Sequence, residues 1–188
     1  MRAAQSLGAF AGRPALLRTA GVNSGSLYHF FPGKEALLTA VLQKYQENLH
    51  PIVLAPIQAQ TEDPIARVFA LLAWYRGLME QTNCRLGCPI GNLALEVSDS
   101  HPEVRSLIHA NFDGWTEGVR RWLDAAGDRL PADCDRKELA QMVLNTMEGG
   151  IMQCRSRAEL APFDAAVRQL RRYFDYLERD AQASRQTT

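Results

Sequence analysis

Two sets of side chains in this sequence are of a kind that acts on other molecules. The first is a run of small hydrogen-bonding residues, Asn23, Ser24, Ser26 and His29, with Gly25 among them and Tyr28 beside them. Amides, hydroxyls and an imidazole of this size, at the start of a helix, can enter a major groove and reach base edges. Gly25 would let the backbone approach closely. The second is Cys84 and Cys88, which bracket Arg-Leu-Gly. No second cysteine pair or histidine follows at a zinc-ligand spacing, so no metal is expected. Cys88 stands where a helix begins, and a helix N-terminus lowers a thiol pKa and makes it reactive toward oxidants and electrophiles. The simpler reading of the same residue is a small group packed under a loop. There is no Gly-rich phosphate loop, no nucleophile elbow and no helical HExxH, so neither an enzyme nor a cofactor is expected.

The elements that must hold the first set are legible around it. Leu16, Leu17 and Ala20 give one short helix its contacts, and Gly21 sits where that helix must end. Val22 plugs the angle, Asn23 or Ser24 caps the next helix, and Leu27, Phe30 and Phe31 hold it from behind. By spacing alone this is either a corner in an all-α core or a helix-turn-helix.

The wording AGVNSGSLYHFFPGKEALL resembles the signature of TetR-family transcriptional repressors, with Gly21, Gly25, Tyr28, Phe31, Lys34 and Leu37 in place. The resemblance covers about twenty residues. It implies a helix-turn-helix DNA-binding domain in residues 1–50 and a helical ligand-binding and dimerisation domain in 51–188. It further implies that Tyr28 and Lys34 meet DNA phosphates, leaving Asn23, Ser24, Gly25, Ser26 and His29 to approach the bases. Residues 1–13 hold less than the full first helix expected of the family, because Gly8 and Gly12 interrupt it. That helix is therefore expected to be short, or part of it to be missing from this sequence.

Composition agrees with a selective binder. The 188 residues carry a formal net charge of zero, which argues against indiscriminate nucleic-acid binding, and 46% are hydrophobic. Within residues 1–50, Arg2, Arg13, Arg18, Lys34 and Lys44 outnumber Glu35 and Glu47, a mildly basic front. No apolar run approaches the roughly 20 residues that span a bilayer, so no membrane partner is expected. Four cysteines without a dense framework point to a reducing cytoplasm.

Helical periodicity predicts helices from Lys34 to about His50, Pro64 to Thr82, Pro89 to Ser98, Pro102 to before Gly127, Arg136 to Arg157, and Pro162 to Ala181. The segment with Pro51, Pro56 and Pro64 reads as a bend. No stretch alternates with period two, so the expected fold is all-α. Phe69, Leu72, Tyr75, Met79, Phe112, Trp115, Val119, Met142 and Met147 are core residues first. Their number also suits an adaptable ligand pocket, with Cys88, Thr116 and Thr146 as candidate contacts. Asn111, Asn145 and Glu148 are further polar groups on the same helices. Phe163, Val167, Leu170, Phe174 and Leu177 step by four and three, a seam for another helix. With Leu139, Val143 and Ile151 they form the expected homodimer interface; the other reading is that they close the chain's own core. The sequence thus points to a dimeric repressor on a palindromic double-stranded DNA operator, released by a small-molecule inducer. Its half-sites would lie about 34 Å apart. The rival is a helical small-molecule-binding dimer that has lost DNA binding.

Overall fold

The computed structural model describes residues 31–186. Asn23, Ser24, Gly25, Ser26, Tyr28 and His29 lie outside that range. Every regular element within it is helical, as expected. They are α1 (Lys34–Asn48), a π-helical turn (Leu49–Leu54), α2 (Ala55–Gln58), α3 (Pro64–Gln81), α4 (Pro89–Val97), α5 (Pro102–Ala125), a 3-10 turn (Gly127–Arg129), α6 (Arg136–Arg157) and α7 (Ala161–Gln186).

The helix starts follow from local chemistry. Pro64, Pro89 and Pro102 each open a helix, where a missing amide proton costs nothing. Asp63 caps α3 by accepting from the amides of Ile65 (2.9 Å) and Ala66 (3.1 Å). Asp135 caps α6 through Lys137 (2.8 Å) and Glu138 (3.0 Å). Two segments depart from expectation. The proline-rich bend is not a plain loop: α1 widens into the π turn across Pro51, and Pro56 sits in the first turn of the short α2. Helix α7 continues past Ala181 to Gln186. No Gly or Pro stops it there, and Arg185 reaches the Asp128 carbonyl and pairs with the Asp128 carboxylate at 3.7 Å.

The described residues form two compact units, 31–48 with 88–112, and 49–87 with 113–186. In the first, Leu38 and Leu42 of α1, Ile90, Leu93 and Val97 of α4, and Val104 and Ile108 of α5 are buried. The second buries Ile57, Val68, Leu71, Leu72, Trp122, Leu123, Leu130, Met147, Phe163 and Phe174 among others.

Charged clasps fix α7 within the second unit. Arg129 donates to Asp63 (2.8 Å) and to Glu178 (2.7 Å), joining the 3-10 turn to the cap of α3 and to α7. Arg76 of α3 holds Asp164 of α7 at 2.7 Å. Two glycines permit close approach: a Cβ on Gly118 would lie 2.7 Å from Leu54 Cδ1, and one on Gly150 would lie 2.8 Å from Phe163 Cδ2.

Candidate functional site

In the first unit the exposed Lys34 opens α1, with the Leu37 amide bonded to the Gly33 carbonyl at 3.3 Å. Its ammonium is accessible to a phosphate. Further along α1 the helix is held by an internal polar contact. Asn111 of α5 is buried, and its Nδ2 donates to the Leu42 carbonyl (3.1 Å) and the Leu107 carbonyl (2.9 Å). Both amide protons are thereby used, and Asn111 ties α5 to α1. One turn on, the Tyr45 hydroxyl is buried with no hydrogen-bond partner among the described residues. Burial pushes its pKa up to about 12, helped by the charge of the neighbouring Cys88. Cys88 caps α4: its Sγ accepts from the Gly91 amide at 3.4 Å. The expected helix-terminal thiol is therefore present, buried, beside Tyr45. Phe112, half-buried, also belongs to this unit.

In the second unit the expected ligand residues separate into three groups. Tyr75 of α3 and Trp115 of α5 have ring centroids 6.4 Å apart, and Trp74 meets Tyr75 edge-on at 4.9 Å. On the same stretch of α5, Trp115 Nε1 and Thr116 Oγ1 are buried and find no partner among the described residues. Leu72, Met79, Val119 and Met147 are buried apolar residues of the same unit. Phe69 instead packs edge-on against Phe174 at 5.3 Å, with the Arg171 guanidinium 3.1 Å above its ring. That ring has both an apolar and a cationic partner within the chain. Met142 is 42% exposed, and Thr146 donates back to the Met142 carbonyl at 2.8 Å. Both line an open groove on α6.

The residues of the expected dimer seam are placed within one chain. Leu139, Val143, Ile151, Phe163, Leu170, Phe174 and Leu177 are buried, and Val167 half-buried, in a single chain. The seam closes this unit's own core, because Phe69 and Phe174 meet and α6 packs along α7. The adjacent stripe of the same two helices faces outward. It carries Met142, Met152, Tyr173 and Tyr176, all exposed large apolar residues. An open groove of about 550 Å³ runs along it, floored by Gly149, Gly150 and Leu170 and edged by Asn145, Gln169 and Tyr173.

The family model of bacterial regulatory proteins of the TetR family matches residues 12–41, and the C-terminal domain model of LmrA/YxaF-like transcriptional regulators matches residues 64–169. The chain belongs to the TetR family of transcriptional regulators. It is 31% identical over 162 residues to a helix-turn-helix-type transcriptional regulator of Mycobacterium tuberculosis strain H37Rv, covering 83% of this chain and 79% of that one. Its fold matches a TetR regulatory protein from Rhodobacter sphaeroides with a TM-score of 0.79 at 22% identity, covering 91% and 96% of the two chains. It also matches CifR, a TetR-family regulator with substituted cysteines crystallised on 26-bp double-strand operator DNA. There the TM-score is 0.70 at 22% identity, over 89% and 92% of the chains.

For a TetR-family regulator, the first match runs through Lys34 into α1, the helix that Asn111 anchors. That role of Asn111 leaves no mark in the sequence. The asparagine's acceptor on α1 is 69 residues away, and nothing local marks it. The outward stripe on α6 and α7 had a local signal, since Gly149 and Gly150 with Met142 and Tyr173 form a small-and-large pattern suited to interdigitation. The stronger heptad lies beside it and masks that signal.

Proposed function

We propose that this TetR-family regulator is a homodimeric repressor that leaves its operator when a small molecule binds. The single observation that carries the DNA half is the match of the family's N-terminal model across the Asn23–His29 segment into the exposed Lys34. Asn23, Ser24, Gly25, Ser26 and His29 approach base edges, while Tyr28 and Lys34 take phosphates. Residues 1–50 serve as the DNA-binding module and 51–188 bind ligand and dimerise. CifR on its operator supports this reading by analogy of fold.

The ligand site we assign lies at Tyr75, Trp115 and Thr116, where aromatic walls meet two buried polar atoms that find no partner among the described residues. Unmet donors in an apolar setting suit a small ligand with a carbonyl, ether or similar acceptor. Trp115 lies one helical turn along α5 from Asn111, whose amide holds the Leu42 carbonyl of α1. A ligand that rotates or draws in Trp115 thus acts on the helix that anchors α1. Dimerisation uses the outward stripe of α6 and α7, centred on Met142, Met152, Tyr173 and Tyr176. No described helix is long and apolar enough to cross a membrane, consistent with action in the cytoplasm.

The test is a gel shift of the full chain on palindromic fragments from its own promoter region at two salt concentrations. Retarded DNA at low salt, weakened steeply at high salt, supports the operator reading. No retarded species on any fragment at low salt would refute it.

A further inference from the structure

Helix α5 carries a further buried donor that the ligand site assigned above leaves unused. Trp122 stands seven residues after Trp115, two turns on and on the same face, about 10 Å along the helix axis. Its Nε1, like Trp115 Nε1 and Thr116 Oγ1, is buried and finds no hydrogen-bond partner among the described residues. Trp115, Thr116 and Trp122 are 4%, 7% and 2% exposed, so bulk solvent does not reach these atoms. An indole N–H can only donate, and a buried donor without an acceptor is costly. Between the two indoles lies Val119, fully buried and apolar. One face of α5 therefore runs donor, apolar, donor.

The approach to this face is aromatic. Trp74 and Tyr75 of α3 are half-buried. Their contacts, Trp74 to Tyr75 at 4.9 Å and Tyr75 to Trp115 at 6.4 Å, lead from partly exposed rings to the buried indole. A Cβ on Gly77, one turn after Trp74, would meet nothing within 4 Å, so α3 leaves space on that side. The arginines next to these residues in the chain are already engaged. Arg76 holds Asp164 at 2.7 Å and Glu80 at 3.3 Å. Arg120 holds Glu117 at 2.7 Å and also Asp124, and Arg121 holds Glu117 at 3.0 Å. An anion entering here would shed its water without gaining a counter-charge. A cation would bring donors to a face that is already made of donors.

We propose that the ligand site reaches along α5 from Trp115 to Trp122 and takes an elongated, uncharged molecule with a hydrogen-bond acceptor at each end and an apolar middle. This rests on the site assigned above at Tyr75, Trp115 and Thr116, and adds its length and the class of molecule it selects. One acceptor takes the Trp115 N–H and the Thr116 hydroxyl, the other takes the Trp122 N–H, and the middle lies against Val119. Two acceptors about 10 Å apart match the helical rise between the indoles.

The experiment is calorimetric titration of the full-length chain with three para-substituted biphenyls. The diacetyl compound has a carbonyl at each end of an apolar rod, the monoacetyl compound has one, and the dicarboxylate has the same length but is charged. The diacetyl compound should bind, and removing one acetyl should raise Kd about tenfold, the cost of one buried donor left unpaired. The dicarboxylate should bind more weakly than either. Trp122→Phe keeps a ring and removes the donor; it should weaken the diacetyl compound about tenfold and the monoacetyl compound less than about twofold. Equal Kd for the two ketones, both sensitive to Trp115→Phe, would overturn the second donor while the assigned site stands. Tighter binding of the dicarboxylate, again sensitive to Trp115→Phe, would overturn the uncharged class. Failure to bind the diacetyl compound would overturn the proposal outright. Binding untouched by both Trp115→Phe and Thr116→Val would instead remove the site on which the proposal rests. The wild-type comparison of the three compounds decides the matter even if Trp122→Phe fails to fold.

Discussion

Tyr173 and Phe174 are neighbours on α7, and their substitutions should fail in opposite ways. The Phe174 ring is fully buried, 5.3 Å from Phe69 in an 82° edge contact. Phe174→Ala removes that ring from a packed interior and should cost about 3–5 kcal/mol of stability. Tyr173 is 40% exposed at the edge of the groove on α6 and α7. Within one chain Tyr173→Glu should change stability by only about 0.5 kcal/mol. In a two-fold dimer, however, the substitution enters twice. A central tyrosine in an interface is worth about 2 kcal/mol, so the pair amounts to about 4 kcal/mol. That corresponds to roughly a thousandfold rise in dimer Kd. Sedimentation equilibrium over a range of concentrations reads the dimer, and urea unfolding followed by circular dichroism reads the fold. The expected result is a folded Tyr173→Glu monomer at concentrations where wild type is dimeric. The urea midpoint of wild type should rise with concentration and that of the variant should not. An intact Tyr173→Glu dimer refutes the outward stripe. A folded, monomeric Phe174→Ala protein would restore the buried seam as the interface and refute the packing argument as well.

Other consequences follow from single contacts. Lys34→Ala should weaken all DNA sequences alike and flatten the plot of log affinity against log salt by about 2 across a dimer, measured by fluorescence anisotropy. Asn111→Asp places an anionic oxygen against the Leu42 and Leu107 carbonyls; it should cost at least about 3 kcal/mol at neutral pH, with the deficit shrinking as the pH is lowered. Tyr45, with its pKa raised to about 12, favours the folded state fully below its ordinary 10.0, and that contribution fades as pH climbs toward the folded value. Ultraviolet titration should therefore show a late-ionising phenol that Tyr45→Phe removes. Burial pushes the Asp63 carboxyl up, but hydrogen bonds from Arg129 and from the Ala66 and Ile65 amides outweigh this and hold it below the ordinary 3.8. Its contribution is present above that value and is lost as pH falls through the lower folded pKa. Asp63→Asn, which keeps a capping side chain, should flatten the acid limb of the urea midpoint.

Helix ends were legible because the chemistry that makes them is local. Asp63 before Pro64, Cys88 before Pro89 and Asp135 before Arg136 each satisfy amides within three residues, so a short window of sequence contains cause and effect. Faces were not legible in the same way. On α7 the heptad of Phe163, Leu170, Phe174 and Leu177 specifies an apolar stripe without specifying what covers it. The answer lies in Phe69, on a helix far away in sequence. The same limit explains Met142 and Thr146, whose spacing suits a pocket until the orientation of α6 turns them outward. A pattern of types and spacings records which groups are available. Which of them meet is decided by contacts such as Arg76 with Asp164 and Arg129 with Glu178, which set α7 against the earlier helices and so determine which stripe is left for a partner.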